Sequence, residues 1–92
     1  MREYAKVSPS FWTGDTGRKI VSEGPECITV ALYLLTNGHS NMLGLYYLPI
    51  AYISHDTGLD SEGALKALRR VSARGFCRYD ERSGWVFVPR MA

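Results

Sequence analysis

The residues best equipped for chemistry lie in the last third of the chain, where Lys66, Arg69, Arg70, Arg74, Arg78 and Arg82 follow one another closely. Cations at this density suit anion binding. Arginine in particular offers a planar fork that bonds phosphate oxygens, or the O6/N7 edge of guanine, in pairs. Residues 61–92 carry seven basic groups against three acidic ones, a net of +4, whereas residues 1–60 carry four against six, a net of −2. The overall charge of +2 therefore hides a basic C-terminal third. Such asymmetry is an electrostatic footprint for nucleic acid, although solvated basic helices produce it too.

Other reactive side chains form no constellation. Cys27 and Cys77 are far apart, without Cys-x-x-Cys spacing, and read as two buried reduced thiols that behave as small hydrophobes. His39 and His55 lack metal-ligand spacing and read as surface residues. Ser54 has only His55 beside it, which points elsewhere on a helix, and Asp60 is explained as a helix cap. The run Gly14-Asp15-Thr16-Gly17 lacks the lysine and the preceding strand of a phosphate-binding loop. The expectation is a protein that is not an enzyme and uses no cofactor and no metal.

Ninety-two residues of average composition, 46% hydrophobic and 22% charged, suit a single domain with one modest core. The longest apolar runs, Ile28–Leu35 and Met42–Ile53, fall short of the roughly 20 residues that span a bilayer, and the second contains Gly44 and Pro49. The N-terminus has no apolar run behind its charges and does not read as a signal peptide. A cytoplasmic location without membrane or small-molecule partners is expected.

The elements that must position the cations can be read in order. Tyr4–Val7 suits a short strand, and the Phe11-Trp12 pair suits an anchor fixing an N-terminal arm, residues 1–12, to the core. Residues 13–22 read as a polar helix capped by Asp15 and broken by Gly24. Pro25 fits a first helical position, and Ile28, Ala31, Leu32 and Leu35 recur at the spacing of one buried face. Val30, Tyr33 and Leu34 widen that face, so burial on two sides is expected, with Thr36-Asn37-Gly38 as the stop. After the polar loop His39-Ser40-Asn41, Leu45–Leu48 reads as a strand limited by Pro49, with one of Tyr46 and Tyr47 facing the core and the other open.

Residues 50–74 then read as a helix-turn-helix. Ile50 and Ile53 mark the first helix, Thr57-Gly58 ends it, Leu59 plugs the angle, and Asp60 caps a second helix that Gly75 terminates. Residues 76–89 read as a wing hairpin, with strands Phe76–Tyr79 and Trp85–Val88 around a five-residue loop, Asp80 to Gly84. At 100° per residue, Ala64, Leu68 and Val71 face the core, while Glu62, Lys66, Arg69 and Ala73 face outward, flanked by Arg70 and Leu65. The expected fold is therefore α+β, a winged helix-turn-helix with a small antiparallel sheet, whose second helix lies in a DNA major groove. Arg69 and Lys66 are assigned to bases or phosphates, Glu62 to a cytosine, Arg70 and Arg74 to phosphates, and Arg78 and Arg82 to backbone contacts from the wing.

The runs Leu32-Tyr33-Leu34-Leu35-Thr36-Asn37, His39-Ser40-Asn41, Gly44-Leu45-Tyr46-Tyr47-Leu48-Pro49, Thr57-Gly58-Leu59, Ala67-Leu68-Arg69-Arg70, Gly75-Phe76 and Trp85-Val86-Phe87-Val88-Pro89 resemble, in order and spacing, the N-terminal domains of phage and prophage replication proteins of the replisome-organiser or DnaD-like kind. The resemblance implies a winged helix, a role in origin binding or helicase-loader assembly, and a partner segment C-terminal to such a domain. Two positions depart from what is usual. Ser54 stands where helix-turn-helix sequences place alanine, and Gly63 costs a helix up to about 1 kcal/mol relative to alanine. The competing expectation is a protein-interaction or self-assembly module of a replisome or primosome with no DNA readout. Trp85 and Phe87 alternate with Val86 and Val88 on the last strand, so both of its faces are apolar and the second needs a cover. That cover is either the N-terminal arm or a second subunit.

Overall fold

The computed structural model describes residues 7–37 and 44–89. Five helices, α1 (Ser10–Thr13), α2 (Asp15–Ser22), α3 (Pro25–Thr36), α4 (Ile50–Thr57) and α5 (Ser61–Ala73), accompany three short strands, β1 (Leu45–Tyr47), β2 (Arg78–Asp80) and β3 (Trp85–Phe87). The strands form one antiparallel sheet in the order β1-β3-β2, so the architecture is α+β and mostly helical. None of the described helices is long and apolar enough to cross a membrane.

The core is assembled by α3 and α5 packed on each other, with α2 and α4 alongside α3 and the inner face of the sheet closing the end. α3 begins with Pro25 in its first turn, as its missing N–H predicts. Its buried residues are Cys27, Val30, Ala31 and Leu34, whereas Ile28, Leu32 and Leu35 are only partly buried. All the expected residues thus meet the core, burial extending to two sides as expected, but the deepest stripe is shifted by one position from the expected face. In a helix apolar on nearly every side, periodicity alone does not select which stripe meets the largest neighbour, here α5. Its last turn is closed by Asn37, whose buried amide donates to the carbonyl of Tyr33 (2.7 Å) and to the hydroxyl of Tyr46 (3.1 Å). That hydroxyl donates in turn to the Leu34 carbonyl (2.6 Å).

The N-terminal region differs most from its sequence reading. Phe11 and Trp12 sit on a single helical turn, α1, rather than on an extended arm. Phe11 is buried and meets Phe76 edge-on with centroids 6.2 Å apart, but Trp12 is 48% exposed, its ring edge-on to Phe11 (5.1 Å). Half of the expected anchor is therefore in the core. α2 starts after Gly14, and Asp15 is its first residue rather than its cap. Gly17 of α2 faces α1 so closely that a Cβ there would lie 1.6 Å from the Phe11 carbonyl oxygen. The strand expected at Tyr4–Val7 begins in residues outside those described, and Val7 itself is not in a strand. Gly38 and the loop His39-Ser40-Asn41 lie outside the described residues.

Candidate nucleic-acid interface

Two helices joined by a tight turn position the cations. α4 ends at Gly58, whose φ of 82° is the left-handed conformation that favours glycine. Two hydroxyls then lock the turn. Ser54 Oγ donates to the Leu59 carbonyl (2.6 Å), while Thr57 Oγ1 donates to the Ile53 carbonyl (2.6 Å) and accepts from the Leu59 N–H (3.3 Å). Ser54 is thus no defect in the pattern, since an alanine there would leave the Leu59 carbonyl without this bond. Leu59 is partly buried against the core, as a plug should be.

Asp60 caps α5, its carboxylate accepting from the Gly63 N–H at 2.6 Å. A Cβ on residue 63 would stand 2.9 Å from that same oxygen, so the glycine gives up helix propensity and lets the cap close tightly. From this start the helix turns Ala64, Ala67, Leu68 and Val71 into the core, and Glu62, Lys66, Arg69 and Arg70 remain exposed. Arg74 follows the last residue of α5 as its C-cap, and Phe76 and Cys77 are buried on the way into β2.

The hairpin is tighter and starts later than its sequence reading. β2 is Arg78–Asp80 rather than Phe76–Tyr79, so Asp80 belongs to the strand and the turn comprises Glu81–Gly84. Asp80 organises that turn: its carboxylate accepts from the Arg82 N–H (3.1 Å) and from Ser83 Oγ (2.8 Å), bonds that hold its pKa below the ordinary value. Tyr79 lies on the inner side of β2 and donates its hydroxyl to the Leu48 carbonyl (2.9 Å).

The seven candidate residues do not form one uniform patch. Arg69 reaches across to the β2–β3 turn and forks onto Glu81, Nε to Oε2 at 3.0 Å and Nη2 to Oε1 at 2.7 Å. Hydrogen bonding to Arg69 lowers the Glu81 pKa, and the same bond raises that of Arg69. Arg74 is bound by Glu23 at the end of α2, Nε to Oε2 at 2.6 Å. Lys66 and Arg70 flank a shallow cleft against Glu23, Gly24, Pro25, Glu26 and Cys27, so acids also approach this side of the helix. Among the described residues Lys66, Arg70, Arg78 and Arg82 make no ion pair. Arg78, however, shares a cross-strand position with Phe87 on the face of the sheet that points away from the helices. It does not join the α5 surface. Glu62 is exposed in the first turn of α5, where an acid suits the helix dipole.

Residues outside this set offer little chemistry. Both cysteines are buried and unbridged, burial pushing the Cys77 thiol up to about 12 and raising that of Cys27. Thiols held protonated are poor nucleophiles. His55 is exposed beside Asp56, which also accepts the Tyr33 hydroxyl proton at 2.6 Å. Burial, then that bond, raises the Tyr33 pKa. Among the described residues no three His, Cys, Asp or Glu side chains cluster as metal ligands would. His39 lies outside them. The sequence reading missed the two acids, Glu81 and Glu23, that occupy Arg69 and Arg74. The position of Glu81 in the hairpin turn was the available signal for the first; nothing in the linear sequence links Glu23 to Arg74. Compared with known proteins, the chain matches no family model, no curated protein and no solved structure.

Proposed function

We propose that this chain is a winged-helix domain that binds duplex DNA, with α5 in the major groove and the β2–β3 turn against the backbone. Supporting the fold reading, the tight α4–α5 turn is followed at once by the β2–β3 hairpin, and β1 extends the hairpin's sheet. The binding reading is carried by one observation: Lys66 and Arg70 project one helical turn apart from the exposed side of α5, without ion pairs among the described residues. Arg82 in the turn is a third cation in the same condition. Arg69 and Arg74 take part only by exchanging Glu81 and Glu23 for phosphate or base. A place in phage-type replication rests on the resemblance of the sequence runs described above.

The test is fluorescence anisotropy of a random-sequence duplex titrated with the protein at two salt concentrations. Each phosphate neutralised contributes about −0.9 to the slope of log K against log salt, so three free cations predict a slope of about −3. No binding at low salt overturns the reading and leaves the protein-interaction module.

A further inference from the structure

The sheet has two unlike faces. Tyr46, Val86 and Tyr79 point inward, and Tyr46 and Val86 are fully in the core. The outer face is a grid of two rows: Arg78, Phe87 and Leu45 in one, Asp80, Trp85 and Tyr47 in the other. Leu45 is 51% exposed, Tyr47 50% and Trp85 47%, a concentration of apolar surface that the described helices leave uncovered. The grid is shape-stable. The Tyr47 and Trp85 rings lean together at 6.2 Å, and a Cβ on Gly84 would meet the Tyr47 ring at 3.0 Å, so that ring lies over the turn.

The charges on this face select an occupant. Arg78 and Asp80 stand at the two ends of the same strand edge. A two-fold axis lying in the interface and perpendicular to the strands exchanges the two rows. It sets Arg78 opposite Asp80 twice, Phe87 opposite Trp85, and Leu45 opposite Tyr47. Arg78 has no ion pair among the described residues. The Asp80 carboxylate, held ionised by its turn bonds, keeps lone pairs for a further donor. The face is thus complementary to itself in both charge and apolar pattern, as an isologous contact requires. A nucleic-acid strand stacking on Tyr47 and Trp85 would instead meet the Asp80 carboxylate.

We infer that the outer sheet face is a self-association surface on which a second copy of this chain docks, the Tyr47–Trp85 row of each copy against the Leu45–Phe87 row of the other, closed by reciprocal Arg78–Asp80 pairs. Six side chains per copy are few beside the roughly 20–30 residues a side of a standard interface, so the dimer is weak. Dissociation constants of about 10⁻⁵ to 10⁻³ M are expected, which correspond to modest association free energies. The inference is independent of DNA binding, because association is measured without nucleic acid.

Analytical ultracentrifugation of the whole chain across that concentration range provides the test. The native protein should pass from monomer to dimer, and Arg78→Asp or Asp80→Arg alone should each weaken association by more than about tenfold through like-charge contact. Mixing the two variants should restore the dimer, since each then meets its opposite. Should Asp80→Arg fail to fold for want of its turn bonds, Trp85 emission in a Trp12→Phe background serves instead, shifting red on dilution of the native face and remaining red in Arg78→Asp. A chain that stays monomeric throughout overturns the inference, as does a mixture that fails to associate when both variants are folded. Quenching of Trp85 in the monomer by a single-stranded oligothymidine would overturn it too, and would reassign the face to base stacking.

Discussion

α5 presents two faces that obey different physics. Inward, Ala64, Ala67, Leu68 and Val71 are buried at i, i+3, i+4 and i+7, and their role depends on volume and the exclusion of water. Outward, the cations divide into those already holding an acid, Arg69 and Arg74, and those holding none among the described residues, Lys66 and Arg70. The comparison teaches that residue type sorts the two faces correctly, whereas it does not sort the cations among themselves. An arginine on an exposed helix is available to a ligand only to the extent that its own protein has not claimed it.

The largest effect expected from disturbing this contrast is on the inner face. Leu68→Ala should cost about 2–5 kcal/mol in urea denaturation, with little dependence on salt. On the outer face, the Lys66→Ala/Arg70→Ala double variant should stay folded. It should weaken duplex binding on the order of tenfold at low salt and make the salt slope shallower by about 2. At the helix start, Asp60→Ala removes the bond to the Gly63 N–H and should lower stability by about 1 kcal/mol, read from the same denaturation curves.

The smallest effect sharpens the division of the cations. Glu81→Gln weakens the hold on Arg69 and should raise duplex affinity by about two- to fivefold, as the removal of a competing carboxylate predicts. The pH dependence has a definite sign. Because the Glu81 pKa is lowered by Arg69, the pair's contribution to stability is present above the ordinary carboxylate pKa and is lost as pH falls through the lowered value. The Glu81→Gln variant should lack that component in an acid titration of the folded protein. An affinity unchanged by Glu81→Gln would mean that Arg69 plays no part in binding.

Much of the α4–α5 region was legible in the sequence because its signals are local. Gly58, Asp60 and Gly75 each act within a few residues of the chain, and the amphipathic face of α5 contrasts sharply in polarity. The alternation of Tyr46 and Tyr47 was legible for the same reason. What escaped depends on partners distant in sequence. The phase of α3 is chosen by α5, and the fate of Arg74 is decided by Glu23 on another helix. The one-turn helix α1 is too short for periodicity to register, and Ser10-Phe11-Trp12-Thr13 contains no strong helix former.

The contact between Gly17 and the Phe11 carbonyl makes the N-terminal clip conditional on a single missing methyl group. Any side chain at residue 17 would lever α1 away and draw Phe11 off Phe76, while the pairing of α3 with α5 and the sheet register lie elsewhere. The chain is therefore divisible into a clip and a body. Hydrogen exchange should detect their separation as a sub-global opening, in which amides of α1 and α2 lose protection before those of α3 and α5.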